Sequence, residues 1–427
     1  MEAADVFLWG THVGVVALTD GEPLPKFQYM PDFIDSGIEL SPLKMPLSAD
    51  VYSFPELSRS EAFNGLPGLL ADSLPDKFGN AVLDAWLVEE GLSKDGLSAI
   101  NRLSYTGVRG MGALEYKPAL VAEESVADIL RVDALADLAA RVLDFRENAK
   151  AKLTPEVKQY SAILKVGSSA GGARAKAIIG WNEETGEVRS GQVALPEGFG
   201  YWLMKFDGVS GNGDKDGEDS KGYGRIEYAY SLMAKAAGIH MSECRLWDER
   251  HFMTRRFDRK DAGEKLHMQT LGALAHLDFN KPRSHSYEEA FIVVRRIVPD
   301  AQALEQLFRR MVFNVLAWNC DDHVKNISFL MDKYGQWTLA PGYDIAYSYN
   351  KSPAAWTHAH QMSVNGKFTG IEENDLMVCA REANLSRRKA RSIISEIKDA
   401  VHGWPDFANA AKVNEFQMDE ISKHIDL

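Results

Sequence analysis

The sequence of 427 residues predicts an α+β protein, and three observations lead to that fold class. The first twenty residues carry β-branched and aromatic side chains around two glycines, as short antiparallel strands do. Strand-like runs separated by loops occupy residues 161–206, which suits an antiparallel sheet. Beyond residue 265 the apolar residues recur mostly at helical spacing. We predict a β-rich subdomain over residues 1–120, an antiparallel-sheet region over 121–262 and an all-α region over 263–427.

The composition excludes several classes of function. A formal charge of −13 argues against a broad surface that grips a phosphate backbone, because such a surface needs clustered lysine and arginine, although a small local patch stays open. The three cysteines lie far apart, which fits a reducing compartment without a disulfide framework and gives no thiolate metal site. Because neither a signal peptide nor an apolar run of membrane length is visible, we expect a cytoplasmic protein.

Individual elements follow from local patterns. Residues 63–87 predict a loop and then a helix, which the segment from Asp72 to Asp76 can cap. Residues 126–145 predict a second helix. The strands expected in the middle of the chain are residues 161–166, 175–181, 192–195 and 201–206. The helices expected after them are residues 226–237, 304–316, 391–401 and 415–425.

The clearest cluster of polar residues follows the helix predicted over residues 304–316. It contains an Asp and an Asn separated by four residues, Asp321 and Asn326. In protein kinases an Asp and an Asn at this spacing share two tasks, because the Asp accepts the proton of the substrate hydroxyl and the Asn holds magnesium. The alternative is a polar helix cap with solvated side chains, and the spacing alone does not decide between the two.

Two further residues are candidates for binding a metal-bound phosphate. Asp344 follows a Pro-Gly turn, and its carboxylate is a ligand that magnesium prefers, although an ordinary turn Asp is the alternative. Lys205 lies inside an apolar strand-like run, where an ammonium needs either a fixed anion or an edge position. The phosphates of ATP would be that anion, and Glu227 is one of several glutamates that would hold the lysine in place.

Two segments complete the set of candidate binding elements. Residues 166–176 are rich in small residues, which let backbone N–H groups approach phosphates. This segment lacks the Walker A pattern, and a tight hairpin is the alternative. Residues 252–259 join the strand-rich and helical regions, where a connection can offer backbone groups to adenine, and a solvated linker with internal ion pairs is the alternative.

Taken in order, these motifs resemble the HipA family of toxin kinases, and the resemblance covers most of the chain. It rests on the Gly/Ser loop, on Lys205, and on segments 64–74, 256–259, 321–326 and 340–344. The resemblance implies a protein-kinase-like fold of two lobes, an antiparallel-sheet lobe for ATP and an all-α C-terminal lobe, preceded by the small β-rich subdomain. It implies a serine/threonine protein kinase that uses ATP and Mg²⁺ and acts as the toxin of a type II toxin–antitoxin system.

The same resemblance implies roles for individual residues. Asp321 would be the catalytic base, Asn326 and Asp344 would be the magnesium ligands, and Ser169, or else Ser168, would be the site of an inhibitory autophosphorylation. The residues implied to contact the nucleotide are Gly171, Gly172, Ala173, Arg174, Lys176, Lys205, Arg255, Arg256, Phe257, His323, Lys325, Tyr343 and Asp344.

The resemblance also implies partners and leaves alternatives open. A helix-turn-helix antitoxin of the HipB type would bind operator DNA, and an aminoacyl-tRNA synthetase would be the protein substrate whose phosphorylation arrests translation and growth. Asp322 stands where the family usually has Gly, which would add charge beside the transferred phosphoryl group. The alternatives are a small-molecule phosphotransferase with the same ATP-binding residues and a catalytically inactive co-repressor subunit.

Overall fold

The computed structural model describes residues 1–91, 93, 97–120, 129–147, 174–209, 213–214, 217–218, 221–260 and 263–425. The chain forms two compact units. The first unit contains Met1–Asp214, Met253–Gln269 and Met331–Gln336, and the second contains Lys215–Phe252, Thr270–Leu330 and Trp337–Leu427. The division into three regions at residues 120 and 262 stays a prediction. None of the helices in the described ranges is both long and apolar enough to cross a membrane.

The first unit begins with a four-stranded sheet, which confirms the predicted β-rich start. Its strands are β1 (Glu2–Leu8), β2 (Thr11–Leu18), β3 (Lys26–Tyr29) and β4 (Leu114–Lys117), in the order β3-β2-β1-β4. Both β2 and β4 pair with β1 in the antiparallel sense. Alternate residues such as Val6, Val16 and Tyr116 are buried, so one face of the sheet lies against the core.

Helices pack around this sheet in the first unit. They are α1 (Pro31–Ile34), α2 (Gly68–Ala71), α3 (Lys77–Glu89), α4 (Ala99–Thr106) and α5 (Val132–Glu147), with a 3₁₀ turn at Pro55–Leu57. Asp76 accepts a hydrogen bond from the backbone N–H of Gly79 (2.6 Å) and caps α3, as predicted. The helix predicted over residues 126–145 is confirmed as α5, which packs against α3.

A second antiparallel sheet confirms the strand-rich region that the sequence predicts. It contains β5 (Lys176–Trp181), β6 (Val188–Ser190) and β7 (Gly200–Lys205), and β5 pairs with both neighbours. The strands that follow are β8 (Gly213–Asp214), β9 (Gly217–Glu218), β10 (Cys244–Trp247) and β11 (His251–Arg255). Of these, β11 joins β7, which gives the order β11-β7-β5-β6. The strand predicted over residues 161–166 lies outside the described residues.

The strand predicted over residues 192–195 is wrong. The strand that pairs with β5 on this side is β6, in which Ser190 faces Ile179, and the chain leaves the sheet after Ser190. Leu195 instead packs over Gly180, at a place where a Cβ would collide with the leucine side chain. The pairing register therefore decides which short apolar run becomes the strand.

Helices dominate the second unit and confirm those predicted there. They are α6 (Tyr223–Ala236), α7 (Leu271–Ala275), α8 (Tyr287–Ile297), α9 (Ala301–Leu316), α10 (Glu373–Glu382), α11 (Arg387–His402), α12 (Trp404–Ala410) and α13 (Glu415–Ile425). α9 packs against α11, and its residues Leu307, Phe308 and Met311 are fully buried. Each such side chain contributes about 1.5–3 kcal/mol through burial, so α9 is a rigid base for the loop that follows it.

The C-terminal region is not all-α, which corrects the prediction for residues 263–427 and leaves the α+β fold class unchanged. It contains β12 (His267–Thr270), β13 (His285–Ser286), β14 (Ser328–Met331), β15 (Trp337–Leu339) and β16 (Met362–Ser363). β14 and β15 form a hairpin directly after the Asp321–Asn326 loop, and β13 pairs with β16 in the parallel sense. Because β14 is fully buried, its backbone groups need partners, which sheet pairing provides.

Candidate active site

The loop that contains Asp321 and Asn326 is mounted on the end of α9. The helix ends at Leu316, and Trp318 adopts a left-handed conformation (φ 53°) that turns the chain away from the helix axis. The side chains of Cys320 and Val324 are buried and anchor the loop in the core. The 3₁₀ turn Val324–Asn326 then leads into β14. A rigid helix and a buried strand therefore fix both ends of the loop, as a catalytic loop requires.

The two adjacent acids of this loop lie in different environments. The Asp321 side chain is 29% exposed, whereas the Asp322 side chain is 1% exposed. Asp322 accepts hydrogen bonds from the Tyr287 hydroxyl (2.8 Å) and the Gln361 backbone N–H (2.8 Å), and it lies 3.1 Å from His360 Nδ1. Burial and the neighbouring Asp322 raise the pKa of Tyr287 well above its ordinary value. The expectation that Asp322 adds charge beside the transferred group is therefore wrong, because its carboxylate lies in the core.

A chain of polar side chains extends from Asp322 to the backbone of Asp321. Tyr287 accepts a hydrogen bond from Asn314 Nδ2 (2.9 Å), and Asn314 Oδ1 accepts one from Asn319 Nδ2 (3.0 Å). The Ser348 hydroxyl donates to Asn319 Oδ1 (3.1 Å) and accepts from the backbone N–H of Asp321 (3.0 Å). A buried network in which the members satisfy one another makes the loop rigid.

Asn326 is oriented by a bond to the loop itself. Its side-chain Nδ2 donates to the backbone carbonyl of Asp321 (2.9 Å), and its backbone N–H donates to the carbonyl of His323 (2.9 Å). Because the amide nitrogen is turned inward, Asn326 Oδ1 points away from that carbonyl, and it takes no hydrogen bond within the described part of the chain. An amide oxygen held in this way fits a hard cation such as magnesium.

The Tyr343 hydroxyl joins the Asp344 segment to the Asn326 segment. The Tyr343 hydroxyl donates to the Lys325 backbone carbonyl (2.6 Å), so residues adjacent to Asp344 and Asn326 are tied together. The turn before Asp344 is also fixed, because the Gly342 N–H donates to the His240 carbonyl (2.7 Å). Asp344 itself adopts a left-handed conformation (φ 51°), which is uncommon for Asp and occurs often at functional sites.

Two basic side chains of the loop, His323 and Lys325, lie beside the ring of Phe279. His323 Nε2 lies 4.0 Å from Asp321 Oδ1, and its ring centroid lies 5.7 Å from that of Phe279. The Lys325 ammonium lies over the same Phe279 ring, 4.8 Å from its centroid. The second unit thus groups Asp321, Asn326, His323 and Lys325 on one loop, with Asp344 tied to it through Tyr343.

The donor set fits magnesium better than a metal held by protein ligands alone. Among the described residues, no group of three or more His, Cys, Asp and Glu side chains is placed to hold a metal ion. Magnesium in nucleotide sites needs only one or two protein ligands, because phosphate and water oxygens complete its octahedron. Asn326 and Asp344 would supply one amide oxygen and one carboxylate.

The two lysines predicted to contact phosphates differ in their surroundings. Both lie in the second sheet of the first unit, where Lys176 on β5 and Lys205 on β7 are opposite each other in the register. Lys176 is buried, and its ammonium forms an ion pair with the buried Asp76 at 2.7 Å. Lys205 is only half-buried at the end of its strand. Lys176 therefore already has a buried counter-charge, and its role as a nucleotide ligand stays a prediction.

The side chain of Arg256 also has a buried structural partner, and the predicted place of Arg256 beside the adenine stays a prediction. Its guanidinium forms a buried two-pronged pair with Asp258, with Nη2 2.6 Å and Nε 2.9 Å from the carboxylate oxygens. Asp258 also accepts bonds from Arg259 (2.6 Å) and from the backbone N–H of Gly112 (2.7 Å). These bonds hold the side chain of Arg256 in place, whereas the contact predicted with adenine is made by backbone groups of this segment. Its neighbours Arg255 and Phe257 are half-buried.

Several predicted residues are not tested by these contacts. Ser168, Ser169, Gly171, Gly172 and Ala173 lie outside the described residues, and Arg174 is the first described residue after them. Glu227 is buried on α6 in the second unit, and its pairing with Lys205 stays a prediction.

Sequence reasoning missed the residues that hold the Asp321 loop in place. Tyr287 on α8 and the segment from Trp356 to Gln361 provide its principal hydrogen-bond donors. The only signal in the sequence was the density of aromatic and His residues between positions 347 and 360. Such a run does not reveal which distant residue it contacts.

Models of two protein families match the chain. The HipA N-terminal domain matches residues 4–117, and the HipA-like C-terminal domain matches residues 168–404. The chain belongs to the HipA family. The two matches correspond to the β-rich start and to the region that contains Lys205, Asp321, Asn326 and Asp344.

A solved HipA structure shows the same fold. The chain is similar to HipA in the Shewanella oneidensis MR-1 complex of HipA, HipB and operator DNA, with 17% identity, 99% of this chain and 95% of that chain covered, and a TM-score of 0.66. It also matches the Helicobacter pylori proinflammatory kinase CtkA, with 12% identity, 55% of this chain and 90% of that chain covered, and a TM-score of 0.33. No curated protein sequence matches this HipA-family chain.

Proposed function

We propose that this HipA-family protein is a serine/threonine protein kinase that uses Mg²⁺ and ATP. The observation that carries the proposal is the loop after α9, where an exposed Asp321 is followed by an Asn326 whose amide is turned onto the Asp321 carbonyl. The bond from Tyr343 to Lys325 brings the Asp344 segment to the same loop. This is the donor set that phosphoryl transfer needs, because the reaction depends on positioning and on neutralising phosphate charge.

Each residue has a defined task in this proposal. Asp321 accepts the proton of a substrate hydroxyl, and Asn326 and Asp344 hold magnesium. When bound, the magnesium ion neutralises charge on the ATP phosphates. Lys205 contributes a positive charge to the phosphates, and His323 and Lys325, on the same loop as Asp321, line the nucleotide site. The backbone of residues 171–174 and of residues 255–257 would approach the phosphates and the adenine.

We further propose that the protein acts as the toxin of a toxin–antitoxin pair. The HipA match from a complex with HipB and operator DNA supports an antitoxin of the HipB type as partner. The net charge of −13 favours contact with DNA mainly through that partner. The proposed substrate is an aminoacyl-tRNA synthetase, and the proposed site of regulatory autophosphorylation is Ser169 or Ser168.

The proposal is tested by following the γ-phosphoryl group of ATP. Purified protein is incubated with Mg²⁺ and γ-labelled ATP, together with a panel of aminoacyl-tRNA synthetases and, separately, a panel of small alcohols and aminoglycosides. We expect acid-stable label on serine or threonine of at least one protein. Label on small alcohols alone would identify a small-molecule phosphotransferase. Absence of both transfer and nucleotide binding would identify an inactive co-repressor.

Substitution of the two opposed lysines separates nucleotide binding from stability. Lys205→Met is expected to weaken ATP binding by about tenfold, because it removes a charged contact to phosphate worth about 1.5 kcal/mol. Lys176→Met is expected to leave ATP affinity unchanged and to lower the free energy of unfolding by about 3–5 kcal/mol, because Asp76 is left buried and unpaired. Calorimetric ATP titration and urea unfolding of both variants check this. Weaker ATP binding by folded Lys176→Met protein would confirm the predicted contact of this lysine with the nucleotide.

A further inference from the structure

We infer that Trp356 is a positioning residue, which holds the carboxylate of Asp321 in the direction needed to accept a proton. This inference rests on the proposed function of the same loop. Its basis is a hydrogen bond from the indole N–H of Trp356 to Asp321 Oδ1, at 2.8 Å. An indole nitrogen can only donate, so the bond is directional and selects one orientation of the carboxylate.

The segment that carries Trp356 is fastened to the same loop a second time. Four and five residues after Trp356, Nδ1 of His360 and the backbone N–H of Gln361 contact the buried carboxylate of Asp322. Neighbouring acids of the loop are thus held by neighbouring parts of one segment, 356–361. The segment cannot shift from Asp321 without breaking the bonds to Asp322.

Gln361 closes the segment into a compact clamp. Its side-chain Nε2 donates to the carbonyl oxygens of Trp356 (2.7 Å), Ala359 (2.9 Å) and Cys320 (3.3 Å). Thr357, Ala359 and Gln361 are buried, whereas residues 351–354, just before the clamp, are exposed. The indole is therefore carried by a fixed segment, and Trp356 is not a freely moving surface side chain.

Because the bond from Trp356 already orients the Asp321 carboxylate, that carboxylate loses less conformational freedom when it reaches the transition state. A partly exposed carboxylate rotates about its side-chain torsions, and only some orientations direct an oxygen at a substrate hydroxyl. A bond that fixes Oδ1 also fixes the direction of Oδ2, which is then the atom that takes the proton. Misplacement of a reacting group by about 1 Å costs as much as about 10²-fold in rate, so we expect Trp356 to contribute about 10- to 100-fold.

The kinetic test compares two substitutions of Trp by Phe. Trp356→Phe keeps an aromatic ring and removes the N–H, and it is expected to lower kcat by about 10- to 100-fold while KM for ATP stays the same. Trp9→Phe is the matched control, because Trp9 is also partly buried and its indole N–H donates to the Lys265 carbonyl, which belongs to the first unit (2.7 Å). The control should leave kcat unchanged. An unchanged or increased kcat in Trp356→Phe would overturn the inference, and an increase would mean that the indole inhibits the base.

A spectroscopic test does not depend on activity. The protein contains nine tryptophans, and Trp356→Phe assigns the indole N–H resonance of Trp356 in ¹⁵N-labelled protein. Asp321→Asn, which keeps a carbonyl acceptor, should preserve the position and slow exchange of that resonance, whereas Asp321→Ala should shift it and speed its exchange. If neither the position nor the exchange rate of this resonance changed in Asp321→Ala, the hydrogen bond from Trp356 to Asp321 would be disproved, even if the protein were an active kinase. If the resonance changed in Asp321→Ala but the protein transferred no phosphoryl group, the hydrogen bond would be confirmed and the proposed function rejected. Trp356 would then have no role in catalysis.

Discussion

Asp321→Asn is expected to lower the rate of phosphoryl transfer by about 10²- to 10⁴-fold while ATP affinity stays nearly unchanged. The physical reason is that an amide cannot accept the hydroxyl proton, although it has almost the same shape as the carboxylate. The bond from Trp356 survives, because the amide oxygen still accepts it. Initial rates with γ-labelled ATP and calorimetric ATP titration measure the two quantities separately.

Asp399→Asn is the matched control for this substitution. Asp399 is exposed near the end of α11, so the same chemical change there should alter neither rate nor affinity. Equal losses of rate and of ATP affinity in Asp321→Asn would contradict the role of a base, because the residue would then be acting on the nucleotide.

A large effect on stability is expected at Asp258 in the first unit. Asp258→Asn should lower the free energy of unfolding by about 3–5 kcal/mol at neutral pH, because it leaves the guanidinium groups of Arg256 and Arg259 without their buried counter-charge. The same carboxylate accepts the N–H of Gly112, so it joins segments that are far apart in sequence. Urea unfolding of the wild type and the variant measures the difference. A change below about 1 kcal/mol would show that the charges are well solvated.

The pH dependence of this difference follows from the pKa of Asp258. Burial alone would raise this pKa, but Arg256, Arg259 and the hydrogen bonds hold it far below its ordinary value of 3.8. A group whose pKa is lowered by folding stabilises the protein above its unfolded pKa, and the contribution is lost as the pH falls toward the folded pKa. The gap between wild type and Asp258→Asn should therefore be constant from pH 7 to about pH 5 and shrink below about pH 4. If the stability difference between wild type and Asp258→Asn increased in acid, the pKa of Asp258 would be raised by folding and not lowered.

Several helices and strands, among them α6, α9, α11, β5 and β7, could be predicted because their signal is local. Periodic apolar residues indicate α9, and the segment from Asp72 to the capping residue Asp76 indicates the start of α3. The Asp321–Asn326 loop was also visible, because both residues lie on one short stretch and their spacing is preserved by folding. The strand expected at residues 192–195 was wrong because pairing with β5, and not local composition, selects the strand.

The direction in which a polar side chain points could not be predicted. Asp321 and Asp322 are adjacent and chemically identical, and only Tyr287 and the 360–361 segment determine that Asp322 faces the core. Lys176 and Lys205 both lie in apolar strands, and the partner that distinguishes them, Asp76, is one hundred residues from Lys176. Contacts of this kind depend on tertiary structure and leave no spacing in the sequence.

The most direct test of the central claim is a single-turnover measurement at saturating Mg²⁺ and ATP, with an acceptor protein found in the labelling panel. Wild-type protein and Asp321→Asn are mixed with equal amounts of bound γ-labelled ATP, and the first-order rate of label transfer is recorded by rapid quenching. We expect rapid transfer by the wild type and a rate at least about 10²-fold lower in Asp321→Asn, with the same amount of ATP bound at the start. Equal transfer rates in the two proteins would contradict it, because Asp321 would then have no part in the chemical step.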